Sequence, residues 1–246
     1  MKRYILGIII SFLIIGYPAS LIAQNTDNSP RQTPRRFSFS VCLATTSSGP
    51  ARDLEKAMKD AGFNDTTYGS FFSPGPIYHP FSRTGIGETG NPWMIYVHYL
   101  FKQPFGVGLV ISEADIGETF GYQDSSFSFL FIKYAVRTYA SVVTIQARGF
   151  RFGIGPALHY ANSCQEYHGE NIEKKSINRI GFLIDFGLSV PEKSRFFVEI
   201  KAQYRAVGRV EIGPYEARFL DNSAILPTSK VNYDYWFIGL GLGIRL

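Results

Sequence analysis

Apolar and small or polar positions alternate with period two through eight stretches of the chain, and the last of them shows the pattern most openly. In Tyr235–Leu246 (YWFIGLGLGIRL), Trp236, Ile238, Leu240, Leu242, Ile244 and Leu246 share one side of an extended strand. Phe237, Gly239, Gly241, Gly243 and Arg245 share the other, because successive strand side chains point to opposite faces. The same alternation predicts strands over 36–46, 93–101, 105–112, 127–147, 150–161, 179–189 and 195–206. In 150–161, for example, Phe150, Phe152, Ile154, Pro156, Leu158 and Tyr160 oppose Arg151, Gly153, Gly155, Ala157 and His159.

The connections carry information of their own. Three are tight: 102–104, Arg148-Gly149 and 191–194. Four are long: 47–92, 116–126, 162–178 and 207–232. Phe101 and Phe105 must face the same side, which requires the odd-length loop that is there. Ala147 and Phe150 must face opposite sides, which requires the two-residue Arg148-Gly149 turn, with Gly149 free to take positive φ. Short turns alternating with long loops, on an even number of strands, describe a closed up-and-down transmembrane barrel. Within the first long loop, Pro50–Ala61 predicts a helix: Leu54, Ala57, Met58 and Ala61 form one stripe and Gly62 stops it.

Which face points outward is decided by volume. An eight-stranded barrel has an interior just wide enough for side chains to fill. It would not hold the four to six large residues per strand that a soluble, apolar-inside barrel would send inward. The face rich in Gly, Ala and Ser fits that space, so the large apolar face is expected to meet lipid. Aromatics gather at strand ends as two expected interfacial girdles. Phe37, Phe101, Phe105, Phe150 and Phe196 lie toward the short turns; Trp93, Tyr139, Tyr160, Tyr204 and Trp236 lie toward the long loops.

Composition agrees and adds a route. Lys2 and Arg3 precede an apolar run over 5–15 and the segment ASLIA ending at Ala23, the form of a secretory signal peptide over 1–23. A polar leader with Pro30 and Pro34 follows over 24–35, expected to be disordered, and the barrel over 36–246. Removing 1–23 takes two of 25 basic residues and lowers the formal charge from +5 to +3. No block of Lys and Arg stands out, which argues against a nucleic-acid partner. Aromatics make up 15% and charged residues 18% of the chain, both suited to a membrane-exposed surface.

With segments such as FRFGIGPALHY (150–160) and GLGLGIRL (239–246), the sequence resembles the small outer-membrane β-barrel proteins of Gram-negative bacteria, a porin-like group that includes OmpA- and OmpW-like barrels. The resemblance implies the cell outer membrane as the location, with its lipid and lipopolysaccharide as surroundings. It also implies recognition of the final strand by the barrel-insertion machinery. Such strands usually end in an aromatic residue, where this one has Leu246.

Candidate chemistry is concentrated on the inward face. Asp185, Glu199, Lys201, Arg151, Arg205 and Arg245 all have inward parity, and in so narrow a lumen they are expected to form ion pairs that plug it. Symmetric pairing about Glu192 would place Asp185 directly opposite Glu199, which calls for a cation from Arg151, Lys201 or Arg245 between them. Arg36 and Arg179 share that inward parity.

The remaining motifs imply little. Gly85-Ile-Gly87-Glu-Thr-Gly90 spells a dinucleotide fingerprint but lacks the preceding strand, and Asn91-Pro92 ends it where a helix should begin, so no cofactor is expected. Cys164, Glu166, His168 and Glu170 alternate in a loop but lack a fourth ligand at fixed spacing, so no metal is expected. Ser112, His98 and His159 form no recognisable catalytic constellation, and the chain is not expected to be an enzyme. Cys42 and Cys164 allow a disulfide or two separate thiols, the second being the plainer reading. The expected role is structural or loop-mediated binding of an unidentified extracellular ligand. A narrow pore for small solutes is the alternative, and a lipid-modifying enzyme the third reading.

Overall fold

A computed structural model of the chain describes residues 36–47, 51–63, 66–68, 76–78, 92–123, 128–167, 170–219 and 222–246. The signal peptide and leader lie outside the described residues. In chain order the elements are β1 (Phe37–Thr46), α1 (Ala51–Asp60), β2 (Thr66–Tyr68), β3 (Pro76–Tyr78), β4 (Trp93–Lys102), β5 (Phe105–Gln123) and β6 (Ser128–Ala147). They continue with β7 (Phe150–Tyr167), β8 (Glu170–Val190), β9 (Phe196–Ala206), β10 (Arg209–Ile212), β11 (Tyr215–Phe219), β12 (Asn222–Leu226), β13 (Ser229–Asn232) and β14 (Tyr235–Arg245).

Eight of these strands, β1, β4–β9 and β14, close an antiparallel barrel in which every strand neighbours the next along the chain. The last strand pairs with the first, Ser38 with Arg245 through Thr46 with Phe237. Leu246 completes that seam by exchanging backbone hydrogen bonds with Phe37. Closure leaves no open edge through this section, as a strand structure crossing lipid requires.

The faces are those the alternation predicts. Phe105, Leu109, Ile111, Val143, Ile145, Phe152, Ile154, Phe186, Val198, Leu240 and Leu242 are exposed on the outside. Tyr96, His98, Thr144, Asp185, Glu199, Lys201, Gln203 and Arg205 are buried on the inside. At the loop-side girdle Tyr139 meets Tyr160 edge-on with ring centroids 5.7 Å apart, and Tyr204 meets Trp236 at 5.3 Å. Glycines supply the space that the larger inward residues occupy. A Cβ at Gly108 would come within 2.2 Å of the Tyr96 hydroxyl, and one at Gly243 within 2.2 Å of the Phe197 ring. The β6–β7 turn takes φ values of 48° at Arg148 and 80° at Gly149, two consecutive left-handed residues as a two-residue hairpin turn requires.

Two features depart from the sequence reading. First, β5, β7 and β8 run well beyond the lengths the apolar alternation suggested, so that much of 116–126 and 162–178 is strand rather than loop. Above the girdle the alternation does not stop but changes sense. On β6, Leu130, Ile132, Tyr134 and Val136 are buried inside while Lys133 and Arg137 are exposed outside. Second, the segment 207–232 is itself folded: β10 pairs with β13, β11 with β12, and the resulting long hairpin lies against β6. Val210, Ile212, Tyr215, Ala217, Leu226 and Val231 bury their side chains there with Leu54, Met58 and Phe63 from α1 and the residue run after it. The carboxylate of Asp53, in the first turn of α1, accepts a 3.1 Å hydrogen bond from the Asn232 amide.

Candidate functional site

Three consecutive rungs of the inner wall hold the charged cluster. In the lowest, Ser189, Glu199, Gly241 and Cys42 lie side by side across β8, β9, β14 and β1. Arg151, Gly187, Lys201 and Gly239 form the next, and Gly153, Asp185, Gln203 and Phe237 the one above. Each of the four ionic side chains thus has a glycine beside it in its rung. The charged groups can therefore lie across the lumen instead of crowding their neighbours.

Arg151 is the centre of the arrangement. Its Nη2 donates to Glu199 and its Nε donates to Asp185 at 3.4 Å. Lys201 Nζ donates to Asp185 Oδ1 at 3.2 Å. Ser40 Oγ donates to the second oxygen of Glu199 at 2.6 Å, and Gln203 Nε2 to Asp185 at 2.7 Å. Tyr96 lies within the cluster, with Arg151 4.1 Å and Lys201 3.1 Å from its ring centroid. Asp185, Glu199 and Lys201 are fully buried, and Arg151 is 5% exposed. In a low-dielectric interior such charges persist only when paired and hydrogen-bonded, and here each carboxylate meets at least two donors.

The register that produces this cluster differs from symmetric pairing about Glu192. Asp185 faces Gln203 and Glu199 faces Ser189, so the two carboxylates are offset by two rungs instead of sharing one. The cause lies in the 191–195 connection. Arg245 Nη1 donates to the carbonyls of Pro191 (2.8 Å) and Ser194 (2.9 Å), and its backbone amide donates to Arg195. Phe196 and Phe197 accordingly pair only with β14, and β8 first meets β9 at Val190 and Val198. Offsetting the carboxylates separates two like charges and lets one guanidinium bridge them.

The other inward candidates have different surroundings. Arg205 does not join a carboxylate: its guanidinium donates to Ser112 Oγ (2.6 Å), Tyr235 OH (2.7 Å) and Gln203 Oε1 (2.7 Å), over the Phe237 ring. Arg245 is a turn clamp at the short-turn rim, stacked on Phe197. Arg36 and Arg179 are exposed, and Arg179 donates to the Arg209 carbonyl. His98 lies 2.8 Å from Thr144 Oγ1 and His159 Nδ1 lies 2.9 Å from Thr138 Oγ1. Ser112, bonded to Arg205, is not joined to either histidine. Cys42 and Cys164 are separate thiols, the first buried in the lumen and the second half-buried on the outer face. Gly85–Gly90 and His168 lie outside the described residues, so the fingerprint and the Cys164–Glu170 set are not visible there.

Sequence reasoning missed three members of the cluster: Ser40, Tyr96 and Gln203. Their inward parity was available. Volume did not single out Tyr96, because its strand also sends Met94, His98 and Leu100 inward.

Above the cluster the interior becomes apolar and packs against the hairpin. Tyr134 meets Tyr233 edge-on at 6.3 Å, Ser163 bonds the Tyr215 hydroxyl, and Gln165 Nε2 donates to the Glu216 carbonyl at 2.9 Å. Burial raises the phenol pKa of both Tyr215 and Tyr233, so these hydroxyls stay protonated as hydrogen-bonding groups.

The chain is similar in structure to Neisserial surface protein A (9% identity, 85% of this chain and 96% of that one, TM-score 0.42). It is also similar to the outer membrane protein OprG from Pseudomonas aeruginosa (11% identity, 85% and 96%, TM-score 0.47). A third likeness is to the outer membrane protein AlkL in DMPC lipid bilayers (8% identity, 90% and 97%, TM-score 0.42). No protein-family model and no curated protein matches the sequence.

Proposed function

We propose that this eight-stranded barrel spans the bacterial outer membrane as a closed structural element and that its folded outer segments carry its binding function. The observation that carries this reading is the Arg151–Asp185–Glu199–Lys201 cluster. Four charged side chains, at most 5% exposed, are tied to one another and to Tyr96 across a lumen of only eight strands. A conducting path would have to separate those pairs, and breaking a buried pair costs about 3–5 kcal/mol. The long hairpin and α1 form a second layer over the same interior. That leaves the outer surface of 207–232 and its surroundings as the part of the protein presented to the exterior.

Reconstitution into planar bilayers tests the reading. The purified protein should give no steady single-channel current. Discrete, lasting openings would overturn it in favour of a narrow pore. Turnover of outer-membrane lipid by the purified protein would overturn it in favour of an enzyme.

A further inference from the structure

The three short turns and the entry into β1 make one rim of the barrel, and each brings a cation to it. Arg36 precedes β1, Lys102 belongs to the β4–β5 turn, Arg148 to the β6–β7 turn and Arg195 to the β8–β9 turn. All four are exposed. The Leu100 amide donates to the Arg36 carbonyl at 2.7 Å, which fixes Arg36 at the level of the turns. Among the described residues, Glu192 is the one exposed side-chain carboxylate at this rim, and Lys193 stands beside it. At the opposite end acids and bases mix, with Glu113 meeting Arg137 and Glu211 meeting Lys230. The short-turn rim is positive by contrast. Successive turns are two strands apart, about 10 Å around the rim. That is close to the Debye length of about 8–10 Å, so the fields of neighbouring cations overlap.

Each of these cations borders an exposed phenylalanine of the outer wall. Arg36 adjoins Phe37, Lys102 adjoins Phe101, Arg148 lies two residues before Phe150, and Arg195 adjoins Phe196. The Arg195 guanidinium lies 6.0 Å from the centroid of the Phe196 ring. Beyond the rings come Leu109, Val143, Ile154 and Val198 of the apolar belt. From the rim inward along the wall the order is therefore cation, aromatic ring, aliphatic surface. A glycerophospholipid presents the complement in the same order: phosphate, glycerol interface, acyl chain. Lys and Arg stems can lie along apolar surface while their charges stay at headgroup level.

We propose that this rim binds the headgroups of anionic glycerophospholipids in the leaflet that faces the short turns. The proposal rests on the membrane-spanning reading of the barrel. Contiguity of every cation with the phenylalanine girdle favours a lipid over a soluble acidic polymer, which would meet the turns but not the rings.

Native mass spectrometry of the folded protein, from detergent micelles holding equimolar phosphatidylglycerol and phosphatidylethanolamine, tests this. The wild type should retain the anionic lipid about fivefold over the zwitterionic one, the ratio that one cation near an anionic headgroup supplies. The triple variant K102Q/R148N/R195Q takes one cation from each turn, and its ratio should fall below about 2. Asn suits the left-handed backbone at position 148, where φ is 48°. Arg195 takes part in the turn clamp through its backbone carbonyl, so R195Q leaves the clamp intact. K56Q/K174Q/K230Q makes the same change of net charge at the opposite end and should keep the wild-type ratio. Equal retention of both lipids by the wild type, or equal loss in the two triple variants, would overturn the proposal. Displacement of phosphatidylglycerol by an equal concentration of glycerophosphate or of a polyglutamate peptide would assign the rim to a soluble anion and overturn it as well. Failure of the membrane reading would show separately, as a wild-type protein without heat-modifiable gel mobility, and would take this proposal with it.

Discussion

The lumen below the girdle and the cap above it are built largely from the same strands, yet their interiors are opposites. In the lumen the inward residues of β7–β9 are Arg151, Asp185, Glu199 and Lys201 with glycines between them. In the cap the inward residues of β5 and β6 are Ala114, Ile116, Leu130, Ile132, Tyr134 and Val136, packed on Val210, Tyr215 and Leu226. The outer faces are reversed to match: Ile184, Val198 and Leu240 below, Lys133, Arg137 and Lys174 above. A strand places its apolar side against whatever is least like water. Below the girdle that is lipid; above it, where the outside is aqueous, it is the protein's own hairpin and helix. One strand can therefore carry both patterns in succession.

The largest effect is expected at the ionic cluster. Arg151→Ala leaves two carboxylates buried with fewer donors and should destabilise the barrel by about 3–5 kcal/mol, read from urea unfolding in lipid vesicles. A loss under about 1 kcal/mol would mean that water reaches the cluster, and the lumen would then not be closed.

Next comes the outer face. Ile184→Arg, facing lipid, should cost about 2–4 kcal/mol if near the bilayer midplane. Ser176→Arg, on the same face of the same strand but above the girdle, should stay within about 0.5 kcal/mol. Similar costs at the two positions would erase the boundary between the regions.

In the cap core, Ile132→Val removes one buried methylene and should cost about 1 kcal/mol, seen as a shift of the unfolding midpoint. The least effect belongs to the cap surface. There Lys230 meets Glu211 at 3.4 Å with both side chains largely exposed, and Lys230→Gln should change stability by about 0.5 kcal/mol or less. A larger loss would mark that surface as part of a packed interface.

Much of the barrel was readable from the chain alone. Alternation along 150–161 and 235–246 specified which side chains point outward, and the parity of the 102–104 and Arg148-Gly149 turns tied β4 to β5 and β6 to β7. The inward charges could be named too, since parity is a property of a single strand. Their partners could not. Arg205 shares the parity of Lys201 but meets Ser112, Tyr235 and Gln203, residues contributed by β5, β14 and β9.

Local periodicity along the chain is therefore enough for eight strands, their faces and the lipid-facing belt. The tertiary structure alone decided the β8–β9 register, because Arg245 from the last strand clamps the 191–195 turn and offsets Asp185 from Glu199. It also decided how far β5, β7 and β8 extend, because their upper halves pack on a hairpin contributed by a later segment of the chain. The physical reason is the same in both cases. A side chain's face depends on its two neighbours along the strand, whereas its partner depends on how all eight strands close.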